Sequence, residues 1–536
     1  MISRGAALRG RVVMVAGSVL ALSVATQLPA GAAGASVTPP GAQAYTIYTP
    51  PAGTPGQHTA DEPSIGVDWK TNATMYQADV TTLKVVFDDK TTPATATWTD
   101  VSAPLTNHAS LDPILFTDSS TGRTIVSQLV VACSLSELTD DDGATWIPNQ
   151  GCGLNGVEDH QTVGGGPFHA PAPTPPAPAY PHAVYYCNQD IANSTVAYCA
   201  LSADGGLTYG PGIPTYNLTQ CGGLHGHIRV APDGTTILPN QNCAPTANPS
   251  AGGPFPNQAA VVTINNGATW SVNVIPDSLE TLRSDPSVAA DAGGRWYFGY
   301  EQGVKNTAGT QVAGRAMISM SADDGTTWSP SVDVGAPLGI QNVTFPEVIA
   351  GDAGRAAYAF LGSTSAGNPE DTSFQGYWYL YIASTTDGGS TWSVSNLTPG
   401  DPVERGCIFL AGNGSCPSAK RNLLDFMDIA SDNQGRVEVG YADGCTGTCV
   451  TDQAQPCSDA ICSTGPTAST DKLVSIARES CGVPLVAKND AALACGQQAV
   501  VPEVPWAPLL PPLGALGASI AWQVARRRGA RAGATG

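Results

Sequence analysis

Short apolar runs alternate with polar corners along most of the chain. The clearest example is "DPSVAADAGGRWYFGY", Asp285–Tyr300. An apolar run, an Asp-Gly corner and a second apolar run read as strand, turn, strand. The same pattern opens at Glu62 ("EPSIGVDWKTNATMYQA"), Asp112 ("DPILFTDSSTGRTIVSQ"), His227 ("HIRVAPDGTTILPN"), Phe345 ("FPEVIAGDAGRAAYAF") and Phe426 ("FMDIASDNQGRVEVGY"). A seventh copy is blurred by the proline-rich insert in "GGGPFHAPAPTPPAPAYPHAVYYC", which reads as a stiff surface loop.

A second motif follows the first. "SADDGTTW", Ser321–Trp328, recurs as "TDDDGATW", "SADGGLTY", "TINNGATW" and "TTDGGSTW", with the central acid or its stand-in at 141, 204, 265, 323 and 387. "FDDKTTPATATW" reads as a decayed sixth copy. The Asp accepts amide bonds within its own turn, Gly supplies a left-handed backbone, and Trp re-enters the packing. These jobs are structural. Two strands before the turn and two flanking it make a four-stranded antiparallel unit that repeats at the spacing of a propeller blade. The expected fold is therefore an all-β propeller over 42–481, with the Asp turns between strands three and four. Seven blades are predicted, with six as the alternative. The last unit ends at "KLVSIARE" without a fourth strand, while "AQAYTIYTP", Ala42–Pro50, is an unused strand. It should complete the last blade, close the ring and remove two sheet edges.

The ends read as addresses. Residues 1–32 have a basic start, a short apolar stretch and an Ala-x-Ala site, the pattern of a secretory signal peptide. A linker, 482–503, leads to an uncharged segment, 504–525, long enough to anchor the protein in a membrane, and to a basic tail, 526–536. The fourteen cysteines lie between these ends, mostly in close pairs: Cys133–Cys152, Cys187–Cys199, Cys221–Cys243, Cys407–Cys416 and Cys481–Cys495. Disulfides in an oxidising compartment follow. Cys445, Cys449, Cys457 and Cys462 form a group whose pairing the spacing leaves open, with zinc as the alternative. The protein should be secreted, extracellular or held at the cell surface. Net charge is −20, and removing the seven arginines at the two ends takes it to −27. Such a surface disfavours nucleic acid and anionic lipid.

Innermost propeller strands run in one direction, so their first residues should ring one mouth of the central channel. Those residues are Glu62, Asp112, His227, Asp285, Glu347 and Asp428, with Asp61, His225 and Asp425 adjacent. The carboxylates suit general acid/base hydrolysis or Ca²⁺ binding, and strand capping is the structural alternative. Glu62, Asp112, Asp285, Glu347 and Asp428 are the catalytic candidates. No metal ligand is assigned, although His225 and His227 could form a site with His108, His160 or His169.

The repeated Asp turns resemble the BNR or Asp-box repeats of the sialidase (neuraminidase) superfamily, over roughly Ala42 to Cys481. The resemblance implies an exported propeller that binds or cleaves carbohydrate, as an exo-α-sialidase-type glycoside hydrolase. The alternative is a non-catalytic glycan-binding, adhesion or structural propeller. Sialidases grip the substrate carboxylate with three arginines and use a Tyr–Glu couple and an acid/base Asp. The family's Arg-Ile-Pro on the first blade is replaced by "DEPSIGVDW", without arginine. Arg229, Arg283 and Arg421, with His227, are the remaining candidates for substrate binding.

Overall fold

The computed structural model describes residues 36–38 and 43–495, apart from 131–132, 152–157, 174–179, 191–195, 245–255, 279–283, 411–413 and 452–467. Seven sheets, each built on four antiparallel strands, follow one another along the chain. Blade one spans Ser64–Asp100, blade two Pro113–Asn149 and blade three Glu158–Pro214. Blade four covers Arg229–Val274, blade five Ser287–Asp333 and blade six Asn342–Asn396. Blade seven takes Asp428–Ser431, Val437–Asp443 and Leu473–Cys481 from the end of the ring and Ala44–Tyr48 from its beginning. The predicted closing strand is therefore observed, with Ile47 opposite Ala477. First strands of successive blades touch one another from blade one to seven and back to one, so they line the axis.

The turns between strands three and four explain why the motif repeats. Asp323 accepts bonds from the Thr327 amide at 2.9 Å, the Thr327 hydroxyl at 2.6 Å and the Ser321 hydroxyl at 2.8 Å. Asp141, Asp204 and Asp387 make the same set. Left-handed backbone at Asp324 and Gly325 turns the chain. The ring that follows reaches back to the preceding blade. Trp270 meets Tyr185 edge-on at 6.4 Å and Trp392 meets Tyr297 at 6.2 Å. The indole of Trp146 donates to the carbonyl of Val101 at 2.8 Å. Each corner thus joins two neighbouring sheets.

The blurred third blade resolves differently from its appearance in sequence. Its inner strand is Glu158–Pro167, its second is His182–Asp190, and the proline-rich insert is the connection between them. Disulfides join Cys187–Cys199, Cys221–Cys243, Cys407–Cys416, Cys445–Cys449 and Cys481–Cys495. This chemistry belongs to an oxidising, extracellular setting. Cys445 pairs with Cys449, while Cys152, Cys457 and Cys462 lie outside the described residues. So do the expected signal peptide and the 504–525 segment. No helix among the described residues is long and apolar enough to cross a membrane.

Candidate functional site

The polar residues of the inner strands occupy two tiers, one at the mouth and one below it. Hydrogen bonds between blades fix the lower tier. Asp428 Oδ2 accepts from the Ile65 amide at 3.0 Å, Ser287 Oγ from the Val348 amide at 3.0 Å, and Thr162 Oγ1 from the Ile228 amide at 3.2 Å. Ser64, Thr162, His227, Ser287, Glu347 and Asp428 are therefore level with one another. Two positions earlier in each chain segment stand Glu62, His160, His225, Asp285, Phe345 and Phe426, and Asp112 occupies the same place before blade two. Contacts of His160 with Asp285 and His225, and of Glu62 with Asp112, group the polar residues of this set into the tier nearer the opening. Glu62, His160 and Phe345 have φ near +55°, as the chain bends into its strand.

At the mouth, His160 Nε2 pairs with Asp285 Oδ2 at 3.0 Å, and its ring lies 4.8 Å from that of His225. Asp112 Oδ2 accepts from the Gln161 amide at 3.0 Å, while its Oδ1 is buried without a hydrogen bond, as is Glu62 Oε2. Burial is the main force on Glu62; with Asp112 and Asp425 nearby it holds this carboxyl well above the usual range. Burial, opposed by His160 and the Gln161 amide, pushes Asp112 up to about 7. His160 moves the other way from an ordinary buried imidazole. Burial disfavours its charge, yet Asp285 and then Asp112 raise it to about 10. Beside the opening, Arg421 donates twice to Asp425, at 2.5 and 2.6 Å. The site thus combines carboxyls and an imidazole whose proton affinities are raised with a carboxylate paired to arginine.

In the lower tier, burial and the neighbouring Asp428 hold the Glu347 carboxyl well above the usual range. Asp428 is lowered: burial opposes this, but neighbouring His227 and Arg229 outweigh it. Arg229 Nη2 donates to Asp428 Oδ1 at 3.1 Å and lies 3.9 Å from Glu347 Oε2. Phe426 reaches across the channel. Its ring meets His227 edge-on at 4.8 Å and shares an apolar cluster with Ile114 and Val163 of blades two and three.

The five acidic candidates therefore divide into Glu62, Asp112 and Asp285 above, and Glu347 and Asp428 below. Arg229 and Arg421 sit at different places, each held by a carboxylate, and Arg283 lies outside the described residues. A buried Tyr–Glu couple exists, with Tyr186 donating to Glu158 at 2.7 Å. It is tied into the wall by Ser134 and Gln161, and burial raises rather than lowers the Tyr186 hydroxyl. His160 was the least visible member of the mouth in sequence, because the insert hid its blade. Its signal was the three glycines that follow: a Cβ on Gly164 would lie 2.4 Å from the Ile228 carbonyl, so this segment had to be an inner strand.

No family model and no curated protein matches the chain. Solved structures with a similar architecture include an ulvan lyase, a Hadza microbial sialidase and a Penicillium chrysogenum α-L-arabinanase complexed with arabinobiose. The lyase is 10% identical, with 82% of this chain and 99% of that one covered and a TM-score of 0.41. The sialidase is 14% identical over 76% and 73%, with a TM-score of 0.37. The arabinanase is 11% identical over 83% and 98%, with a TM-score of 0.38.

Proposed function

We propose that this exported propeller cleaves carbohydrate at the channel mouth by general acid/base chemistry, with Asp112 and Glu62 as the proton donors. The observation that carries the reading is the contrast within one site. Burial holds Glu62 well above the usual carboxyl range and pushes Asp112 up to about 7, while Asp425 is salt-bridged to Arg421 and Asp285 to His160. A donor carboxyl beside an ionised carboxylate is the pairing that glycosidic cleavage uses. In this mechanism Asp112 protonates the glycosidic oxygen as its bond to the anomeric carbon breaks, and Asp285 or Asp425 takes a proton from the water that bonds to that carbon. His160, fixed by Asp285, offers a charged N–H to a hydroxyl or carboxylate of the sugar. The sialidase-type variant would need Arg229, Arg283 and Arg421 to converge, and the two described arginines are committed to acids instead. That engagement favours a second reading, non-catalytic glycan binding at the same mouth.

The test is turnover on a panel of neutral, uronic and sialylated glycans, followed by reducing ends or by unsaturated products. Asp112→Asn should lower turnover by roughly 10²–10⁴-fold, the usual size of one acid/base contribution. In the native protein, activity should fall as pH rises past about 7, where Asp112 loses its proton. Equal turnover in native protein and variant would sink the acid assignment. Saturable binding without turnover would establish the second reading.

A further inference from the structure

Below the rim lies a donor set that the proposed acid/base chemistry does not use. His227, Glu347 and Asp428 come from blades four, six and seven, and one ligand atom from each lies within 4.8 Å of the others. His227 Nδ1 is 3.7 Å from Glu347 Oε1 and 3.8 Å from Asp428 Oδ1. These separations are too long for hydrogen bonds. The nitrogen is buried with no hydrogen-bond partner, in a residue only 4% exposed. An aimed but unpartnered imidazole is costly unless something else occupies the space. Donors bound at ~2.0–2.2 Å around a tetrahedral ion stand about 3.3–3.6 Å apart, so the two edges to His227 need a contraction of only a few tenths of an ångström, and the edge between the carboxylates closes by up to about 1.2 Å as the side chains draw in.

The donors are held in place. Asp428 accepts from the amides of Ile65 and Ile429, at 3.0 and 2.8 Å. Ser287 donates to Glu347 Oε2 at 2.9 Å, leaving Oε1 toward His227. The His227 ring is fixed edge-on against Phe426. Such outer partners orient ligands and tune the ion they hold.

We propose that His227, Glu347 and Asp428 form a mononuclear site for a divalent transition metal of the zinc class inside the channel. One imidazole and two carboxylates suit zinc or cobalt better than calcium, which prefers an all-oxygen shell. Arg229 is the competing cation. Its guanidinium neutralises the carboxylates when no metal is present and must release Asp428 Oδ1 when one binds. The ion would then tie three blades together across the axis.

Cobalt is the direct probe, because its visible absorption reports nitrogen and oxygen ligation. Chelator-treated full-length protein should bind one equivalent of Co²⁺, with Zn²⁺ displacing it and Ca²⁺ at equal concentration failing to do so. His227→Gln should weaken Co²⁺ binding by at least about 100-fold, and Ser287→Ala, which frees Glu347, by roughly 10-fold. Arg229→Met keeps the ligands and removes the competing charge, so it should tighten binding by about 10-fold. Absence of Co²⁺ binding below ~100 μM, equal competition by Ca²⁺, or an unchanged spectrum in His227→Gln would overturn the site. Weaker or unchanged binding in Arg229→Met would overturn the competition. Intact Co²⁺ binding in Asp112→Asn keeps this result separate from the fate of the rim chemistry.

Discussion

Asp118 shows how a single carboxylate is held at the corner of a blade. It accepts from Tyr180 and is paired with His182 Nδ1, each at 2.7 Å, and from Ser120 at 3.0 Å. Burial opposes its charge, but the bonds from His182 and Tyr180 prevail and hold the carboxyl at about 2. The folded value lies below the unfolded value of about 3.9. Asp118 therefore stabilises the fold fully above about pH 4, and that contribution disappears as pH falls toward 2. A shift of this size corresponds to about 2–3 kcal/mol. Asp118→Asn should lose roughly that much at pH 7 in urea unfolding, and its deficit against native protein should shrink at pH 3. A constant deficit would mean that packing, not charge, is what the substitution removes. Residues of the mouth were legible where acid and proline repeat together, at Glu62-Pro63, Asp112-Pro113 and Asp285-Pro286. Depth was not. Glu347 and Asp428 follow phenylalanines at the rim position, and alternation along a strand gives the face of a residue without its height in the channel.

At the scale of the element, the Asp turn was the most readable feature, because its chemistry is contained in eight consecutive residues. Asn265 supplies a natural control. Its Oδ1 accepts from the Thr269 amide at 2.9 Å, and its amide donates to the Thr269 hydroxyl at 2.7 Å. Asparagine thus makes the same pair of bonds with one proton reversed. Asp323→Asn should therefore fall within about 0.5 kcal/mol of native, while Asp323→Ala should lose about 1 kcal/mol, the modest net value of exposed hydrogen bonds. Chemical unfolding of both variants separates the bonds from the charge. Comparable losses in the two would mean that the carboxylate itself matters. Strand ends were less readable. The outer strands of blades three and five shrink to Ile213–Pro214 and Val332–Asp333, since an outer edge needs only enough pairing to cover its neighbour.

For the whole molecule, the count of seven and the borrowed strand were readable because an unpaired strand at one end matched a vacancy at the other. Their geometry was not, since it depends on contacts between inner strands far apart in sequence. Deleting Ala44–Tyr48 should expose Leu473–Cys481 as a free edge. The expected result is a melting temperature lower by more than about 5 °C and association through the open sheet, measured by calorimetry and light scattering. A monomer that melts with the native protein would show that the ring holds without its clasp.

That clasp also sets a schedule. The hydroxyls of Thr46 and Ser480 meet at 2.6 Å across 434 residues of chain. At about 5–20 residues per second, the closing strand Ala44–Tyr48 waits roughly 20–90 s for its partner. During that interval it is an unclaimed ribbon among six maturing neighbours, so a holding factor or faster synthesis of the intervening chain would protect the yield of finished protein more than any improvement to the core.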